Sequence, residues 1–564
     1  MNRERLQALL RSPAALMWAL FVICLVLNVS GLNRVVLLDI DEPRFAEASR
    51  NMLRGGDLIV PWFNGAVRFD KPVLIYWVQA PFMLAADQGV VGWELAARLP
   101  SALAVAIASV LVASIGRLLG LRSVHAALAG LMLNTCVQAQ IMGHAATADA
   151  LLLLLATCVA HGQLRRFVHG PSAASFVQVW LGASACFLTK GPPGLVAPAA
   201  LAVGVMLVKG RPSWRAVAGG LVLFLVPILL WAIPAILRTN GDFLYVGLGK
   251  HVLERSLRPF EGHGGFAPWW YLFYFGSIPL TFLPWSFWLP GALRVLLGRV
   301  TAPIPGTARL LATWLGGTVL VFTIATSKLP HYPLPAFPAL CLATVLWLQA
   351  ADEGISQTWW RGIAVGMAVF AVGVVIGLPA TFIVFDMHNA VLPAASVALT
   401  LAVGLLVAAR CMWQRQHRAG MLATGSAAVL AFSLLTSMLL PRFNEHQLAR
   451  VAGRDLPPHV RNNDKLHIYG LVMPSLTFYL GRTVERIRGT KEVPEVDRGL
   501  EVIATQGSLL LVRDKRLAEL RQVAVSRGRL DLVRALDAPL SRVCGFMPSK
   551  GRWIGLSLVG RRAP

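Results

Sequence analysis

Long apolar stretches are the feature that most constrains how this chain can fold. Thirteen of them approach the roughly 17–25 residues that a helix needs to cross a bilayer, near 14–32, 99–119, 124–143, 149–164, 172–189, 193–208, 217–238, 269–293, 308–326, 333–350, 362–384, 391–411 and 419–440. Of the 564 residues, 56% are hydrophobic and 14% are charged, whereas soluble domains are about 25% charged. We therefore predict an all-α polytopic membrane protein with about 13 transmembrane helices.

One further apolar stretch, 72–90, is a poor candidate for a span. Two prolines and three polar residues interrupt it: Pro72, Pro81, Gln79, Asp87 and Gln88. If this stretch lies along the interface as a juxtamembrane helix, most basic loop residues fall on the cytoplasmic side, as the positive-inside rule requires. These residues include Arg117, Arg122, Arg165, Arg166, Lys209, Arg211, Arg215, Arg294, Arg299, Arg309, Arg361, Arg410, Arg415 and Arg418.

This topology gathers the unusual polar residues on the outer face. The segments concerned are 33–98, 143–149, Lys190, 239–268 and 328–332. Polar and charged groups at membrane depth are costly, so such a cluster marks a functional site. We therefore expect a multi-pass protein of a bacterial-type inner membrane whose active site faces the periplasm, and we divide the chain into a transmembrane domain, 1–440, with an outer catalytic loop, 33–98, and a C-terminal domain, 441–564.

The C-terminal segment 441–564 lacks spanning stretches. The pieces KLHIYGLV, LEVIAT and SLLLVRD read as strands, and LAELRQVAVSRG reads as a helix. We predict a small α/β domain, which the odd number of spans places outside the cytoplasm.

The net charge of +24 does not indicate nucleic-acid binding, because the basic residues stand singly in short loops without interleaved aromatic residues. Contact with anionic membrane lipids explains them better. The seven cysteines have no metal-like spacing. Six of them lie in or at the ends of apolar stretches, namely Cys24, Cys136, Cys158, Cys186, Cys341 and Cys411, and the seventh is Cys544. They read as small buried apolar residues.

The segment LLDIDEPRFAEASRNML (37–53) carries a cluster of acids directly after the first span. Asp41 and Glu42 stand beside Arg44, with Asp39 just before them. A plain helix start explains acids and a proline at this position. The alternative is a reactive carboxylate where a substrate arrives from the bilayer.

The segment RFDKPVLIYW (68–77) places Asp70 and Lys71 just before the juxtamembrane helix. Lys71 could reach lipid headgroups as an interfacial anchor. It could equally serve as the cation for a lipid phosphate.

Two further outer segments carry histidines and cations. LGKHVLERSLRPFEGHGGFAPWWYLFYF (248–275) contains His251, Arg255 and His263, for which phosphate contact through His251 and Arg255 is favoured over metal binding. SKLPHYPLP (327–335) places Lys328, His331 and Tyr332 at a helix end broken by prolines.

Six segments in order resemble one known family. They are DEPRFAEASRNML, GDLIVPWFNGAVRFDKPVLIYW, AARLPSALA, HAATADALL, LTKGPPGLVAP and SKLPHYPLPAFPAL. The family is that of the polyprenyl-phosphate-sugar glycosyltransferases of the GT-C fold, which includes protein mannosyltransferases and aminoarabinose transferases. The resemblance covers about 14–350 strongly. About 13 spans with an outer C-terminal domain look most like the lipid A 4-amino-4-deoxy-L-arabinose branch.

The resemblance implies inverting sugar transfer from an undecaprenyl-phosphate donor to lipid A. It implies that Asp41 lies closest to the reaction, with Glu42 and Arg44 as partners, and that Lys71 meets the donor phosphate. Asp149, in HAATADALL, is either a helix cap or the family's second acid. Asp70 replaces a family glutamate, which puts a metal role there in doubt. Cations at His251, Arg255, Lys328 and His331, with Tyr332, complete the expected phosphate site.

Several alternatives remain open from the sequence. The acceptor could be a protein hydroxyl, another glycan or another lipid, in which case a hydroxyl would need Asp41 as general base. A transporter for polyprenyl lipids is a further alternative, although we find none of the internal repeats typical of transporters. We expect a monomer that requires no cofactor. A divalent cation, with Asp70 and His263 as its weak candidate ligands, stays an open question.

Overall fold

The computed structural model describes residues 12–247, 267–350, 357–489 and 493–561. Helices dominate up to residue 455. They are α1 Pro13–Val29, α2 Glu42–Gly55, α3 Leu74–Asp87, α4 Trp93–Leu118, α5 Ser123–Thr135, α6 Val137–Gly143, α7 Ala148–His169, α8 Ala173–Lys190, α9 Val196–Lys209, α10 Trp214–Arg238, α11 Phe273–Thr281, α12 Leu289–Leu296, α13 Thr307–Ile324, α14 Phe337–Ala350, α15 Gln357–Val384, α16 His388–Trp413, α17 His417–Leu434, α18 Leu440–Glu445 and α19 Leu448–Asp455.

The helices confirm a polytopic membrane protein. Among the described residues, nine helices are long and apolar enough to cross a membrane, or eleven if two bent pairs each count as one span. The other two predicted stretches correspond to α8 and to the short apolar helix Leu334–Ala350. Every predicted stretch therefore coincides with helix, while the number thirteen stays a prediction.

The two bent pairs meet at their breaks. Helices α5 and α6 bend by 65°, and the pair Pro268–Thr281 and Trp285–Leu296 bends by 112°. At the breaks the amide of Val137 donates to the carbonyl of Leu283 at 3.0 Å, and Trp285 Nε1 donates to Thr135 Oγ1 at 3.0 Å. Helix breaks at membrane depth need such partners for their freed polar groups.

The outer loop between α1 and α4 has its own structure. It contains α2, a short hairpin of β1 Trp62–Phe63 and β2 Ala66–Val67, and then α3. At 14 residues, α3 is shorter than the roughly 20 that a span needs. It packs on α2, where Ser49 Oγ donates to Gln79 Oε1 at 2.8 Å.

The C-terminal segment folds as an α/β unit. Its sheet has the strand order β4-β3-β5-β7-β6. The strands are β3 Lys465–Tyr469, β4 Val484–Arg486, β5 Ser508–Arg513, β6 Ser541–Met547 and β7 Arg552–Arg561, and the helices are α20 Pro474–Leu480, α21 Glu495–Ala504, α22 Asp514–Ser526 and α23 Leu530–Asp537. The first three strands in space are parallel, and β7 and β6 pair antiparallel.

One strand prediction in this unit is wrong. LEVIAT lies in α21, which ends at Ala504. A short apolar run cannot distinguish a strand from a buried helix face, and here Gly499, Leu500 and Ile503 have the three- and four-residue spacing of such a face. The strands predicted in KLHIYGLV and SLLLVRD and the helix in LAELRQVAVSRG are present.

Candidate active site

Asp41 stands exposed at the start of α2. It occupies the N-cap position, yet within the described part of the chain its carboxylate makes no capping hydrogen bond. Its side chain is 70% exposed, and Arg44 Nη1 lies 4.0 Å from Asp41 Oδ1. The helix start is therefore real, but it leaves this carboxylate available to a ligand.

Glu42, the next residue, is buried and fully bonded. Arg98 donates to both of its carboxylate oxygens, at 2.8 and 2.7 Å. The amides of Leu38 and Ala146 each donate to it at 2.7 Å. With both oxygens occupied, Glu42 holds the loop before Asp41 against α4 and the segment before α7.

A cluster of charged groups lies next to Asp41. Asp149, at the start of α7, forms an ion pair with Lys190 at the end of α8 and lies 3.8 Å from His331 Nε2. Asp149 also interacts electrostatically with Lys71. His331 in turn interacts with Asp41 and Lys71. The structure thus brings together four predicted site residues from four distant segments, and adds Lys190.

The ring of Tyr332 also belongs to this cluster. Lys190 Nζ lies 5.0 Å from the centroid of the Tyr332 ring, a cation–π distance. Burial lowers the pKa of His331, although Asp149 opposes the effect, so His331 is neutral near pH 7. Lys71 and Lys190 are the cations of this cluster, and Asp41 and Asp149 are its carboxylates.

Arg68 is a buried cation that interacts with residues beside the cluster. Its Nε donates to the hydroxyl of Tyr76 at 2.9 Å, and its Nη1 lies 3.5 Å from Asp70 Oδ2. It also interacts electrostatically with Asp41. Asp70 therefore faces an arginine, which disfavours a metal role for it. Within the described ranges, no group of three or more His, Cys, Asp or Glu residues could hold a metal ion.

Lys328 is placed differently from the expectation. Its Nζ donates to the carbonyls of Thr323 at 2.8 Å and Ala325 at 2.5 Å, and it lies 5.5 Å from the Tyr271 ring centroid. A lysine bonded to the last carbonyls of a helix stabilises that helix end. The contacts of Lys328 are thus those of a cap on α13. His251, Arg255 and His263 lie outside the described residues.

An apolar cavity of about 400 Å³ adjoins Glu42. Leu38 and Glu42 of the outer loop line one wall, and Ile141, Leu435 and Phe443 contribute apolar surface. The cavity has a size typical of ligand pockets.

The sequence interpretation missed three residues of this region. Lys190 was noted only as an outward lysine, and Arg68 and Arg98 were not singled out. The spacing of RFDKP places Arg68 beside Asp70 and Lys71, which could have identified it. The bond between Arg98 and Glu42 joins residues 56 positions apart, and nothing local in the sequence predicts it.

Comparison with known proteins indicates the class of enzyme. Residues 70–235 match the family described as dolichyl-phosphate-mannose-protein mannosyltransferase. The chain is similar to an undecaprenyl phosphate-alpha-4-amino-4-deoxy-L-arabinose arabinosyl transferase from Aeromonas salmonicida, 29% identical over 69% of this chain and 70% of that protein. The protein of the same name from Edwardsiella ictaluri is 30% identical, and the match covers only 55% of each chain.

A solved structure shares the fold. The crystal structure of ArnT from Cupriavidus metallidurans bound to undecaprenyl phosphate aligns with a TM-score of 0.74 at 21% identity, over 96% of this chain and 97% of that one. The apo structure of the same protein gives the same TM-score, over 97% and 98%. These findings agree with the six ordered motifs. The chain is a glycosyltransferase that shares its fold with ArnT and is similar in sequence to protein mannosyltransferases and aminoarabinose transferases.

Proposed function

We propose that this enzyme transfers 4-amino-4-deoxy-L-arabinose, or a similar sugar, from an undecaprenyl-phosphate donor to lipid A or lipopolysaccharide on the periplasmic face of the inner membrane. The observation that carries the proposal is the cluster around His331, which interacts with the exposed carboxylate of Asp41 and with the cations Lys71 and Lys190. The names of the similar curated proteins support this donor and this sugar.

The two cations suit a phosphate leaving group. In the transfer, the acceptor oxygen forms a bond to the anomeric carbon while the bond from that carbon to the phosphate oxygen breaks. The electron pair stays on the phosphate, and Lys71 and Lys190 would stabilise the charge that grows there. His331, neutral and 3.8 Å from Asp149, could donate a hydrogen bond to the same group.

Asp41 suits the opposite side of the sugar. An anion near the anomeric carbon stabilises the positive charge that develops as the phosphate leaves. An acceptor phosphate is already a nucleophile and needs no general base. An acceptor hydroxyl would pass its proton to Asp41, and this difference separates a lipid A phosphate from a protein or glycan hydroxyl as acceptor.

The direction of the helices supports a single outer face for all these groups. Helix α7 begins at the cluster and α8 ends there, while α10 ends at Arg238, whose Nη1 lies 2.6 Å from Asp57 of the outer loop. Ser475 of the C-terminal unit bonds to Asp39 of the same loop. With thirteen spans, this face is the periplasmic one, and the C-terminal unit lies on it.

The apolar cavity supports a lipid as acceptor. It adjoins Leu38 and Glu42, whereas the cations for the donor phosphate lie with Asp149 and His331. An apolar cavity beside this loop suits the acyl chains of a lipid acceptor. The similarity to glycosyltransferases favours an enzyme over a transporter.

Mass spectrometry of lipid A tests the proposal. We expect lipid A from cells that express the enzyme to carry an added aminopentose, and lipid A from a deletion strain to lack it. Asp41→Ala should behave like the deletion. Lys515→Ala, on the exposed surface of the C-terminal unit, is the matched control and should behave like the wild type. Identical lipid A in all four strains would contradict lipid A as the acceptor.

A further inference from the structure

The chain segment that leads into Asp41 is held by residues more than 400 positions later in the sequence. The amide of Val36 donates to Asn444 Oδ1 at 3.0 Å, and Asn444 Nδ2 donates to the carbonyl of Arg34 at 2.8 Å. The amide of Leu37 donates to the hydroxyl of Tyr479 at 2.7 Å. Extended segments without strand partners need such bonds to stay in one conformation.

A further contact of this kind involves Asp39, two residues before Asp41. Both carboxylate oxygens of Asp39 accept hydrogen bonds from Ser475, one from its amide at 2.8 Å and one from its hydroxyl at 2.5 Å. Ser475 and Tyr479 belong to the same helix, α20. Tyr479 also donates to Glu94 Oε1 at 3.0 Å, at the start of α4, so α20 is tied to the transmembrane part as well.

We propose that Ser475, with Tyr479, is a positioning residue for catalysis: through Asp39 the C-terminal unit holds Asp41 where the acceptor and the donor sugar meet. This inference rests on the proposed role of Asp41 at the reaction centre. It gives the C-terminal unit a part in sugar transfer. The unit acts through the conformation of residues 37–41 and contributes no reacting group.

The contacts that dock the unit are separate from those that hold this segment. Asn64 in the hairpin of the outer loop accepts from the amide of Val484 at 2.8 Å and from the hydroxyl of Thr477 at 3.3 Å. Arg50 of α2 donates to the carbonyl of Phe478 at 2.9 Å. The unit therefore keeps its place on the loop when the bond between Ser475 and Asp39 is removed.

The bond also favours the charged form of Asp39. Burial raises the pKa of Asp39 to about 6, while Ser475 and the cation of Arg44 lower it and the charge of Glu42 raises it further. Loss of the Ser475 hydroxyl raises this pKa again, because the carboxylate loses a donor that favours its charged form. Below this pKa, a protonated Asp39 loses the charge that strengthens both bonds, so the hold on Asp41 weakens as the pH falls.

Four forms of the full-length enzyme in lipid nanodiscs test the proposal: wild type, Ser475→Ala, Ser475→Thr and Thr477→Val. We expect Ser475→Ala to lower kcat about tenfold with little change in KM for the donor. We expect the acid limb of its pH profile to move upward by about 0.5–1 unit. Ser475→Thr, which keeps the hydroxyl, should restore both. Thr477→Val removes a hydrogen bond from the same helix, and its kcat and pH profile should match the wild type.

Hydrogen–deuterium exchange gives a reading that needs no activity. Amides of residues 36–41 should exchange faster in Ser475→Ala than in the wild type and in Thr477→Val. Equal exchange in all forms would overturn the proposal, as would a pH profile of Ser475→Ala that matches the wild type. If the wild type transfers no sugar to lipid A but the exchange differs as expected, the proposed function fails while the structural hold on Asp41 stands.

Discussion

Lys190 and Asp149 form an ion pair between the end of α8 and the start of α7, with only 12% and 15% of their side chains exposed. Charges in such a place are costly unless paired. Asp149 is also within reach of His331 and Lys71. This carboxylate therefore anchors the cations that would receive a phosphate, and its role differs from that of the exposed Asp41.

We predict that Lys190 contributes to donor binding. Lys190→Ala should lower kcat/KM for an undecaprenyl-phosphate sugar about 10–100-fold, because a charge-assisted contact to the phosphate is lost. The measurement is initial-rate kinetics in nanodiscs.

The single substitution also leaves Asp149 without its main partner, so a matched variant is needed. The double variant Asp149→Asn with Lys190→Met removes both charges and avoids an unpaired buried carboxylate. It should regain thermal stability but not donor affinity. If the double variant uses donor as well as the wild type, Lys190 serves only the fold.

We predict that Glu42 matters chiefly for stability. Arg98→Met should destabilise the protein by about 3–5 kcal/mol, because it leaves Glu42 as an unpaired buried charge. An exposed pair offers the control: Arg54 Nη2 lies 2.7 Å from Asp87 Oδ1, with side chains 55% and 40% exposed. Arg54→Met should cost only about 0–1 kcal/mol. Denaturant unfolding in detergent measures both, and equal losses would contradict the assignment.

Lys328 yields a contrasting prediction. Lys328→Met should destabilise the end of α13 by about 1–3 kcal/mol, since two charge-assisted hydrogen bonds to helix carbonyls are lost. The KM for the donor should stay near that of the wild type. Lys71→Met should do the reverse, raising the KM for the donor with little effect on unfolding. A donor KM that rises as much in Lys328→Met as in Lys71→Met would restore Lys328 to the phosphate site.

The sequence was sufficient for the site's location but not for all of its members. Loop charges and helix direction together predict that Asp41, Lys71, Asp149 and His331 lie on one face. In the structure, His331 interacts electrostatically with each of the other three. Side-chain direction is not readable in this way. Lys328 shares a short motif with His331, yet its ammonium turns back to its own helix end.

Contacts between distant segments were beyond sequence reasoning for a simple physical reason. Ser475 and Asp39 are 436 residues apart, and a serine near a helix start is most simply read as a cap. The strand predicted at LEVIAT failed for a related reason. A six-residue segment that is mostly apolar fits a strand or one helix face equally well, and only packing against the sheet decides between them.

The topology gives a prediction that needs no enzyme assay. We predict from the loop charges that α3 lies along the interface and that thirteen spans precede the C-terminal unit. Reporter fusions at about residue 95 and about residue 500 should then both report the periplasm. A fusion in the loop after Arg117 should report the cytoplasm and serves as the control. A cytoplasmic result at only one of the first two positions would put the C-terminal unit and the outer loop on opposite sides of the membrane. That result would contradict the contact between Ser475 and Asp39.

Asp41→Asn separates the two mechanisms for the acceptor. The substitution keeps size and most hydrogen bonding but removes the charge. If Asp41 is the general base for a hydroxyl, turnover should fall about 10²–10⁴-fold, and the shape of the pH profile should change. If the acceptor is a phosphate of lipid A, turnover should still fall, because the anion near the anomeric carbon is lost, but the shape of the profile should change little.

For lipid A as acceptor we expect the second result. The measurement is kcat for the wild type and Asp41→Asn across about pH 5–9, a range that includes the pKa of Asp39 at about 6. The acid limb that comes from Asp39 should persist in Asp41→Asn, because Ser475 still bonds to Asp39 there. Asp41→Glu is the matched variant, since it keeps the charge and moves it by one methylene. Full activity in Asp41→Asn would remove this residue from the chemistry and leave the DEPRF segment as the start of α2.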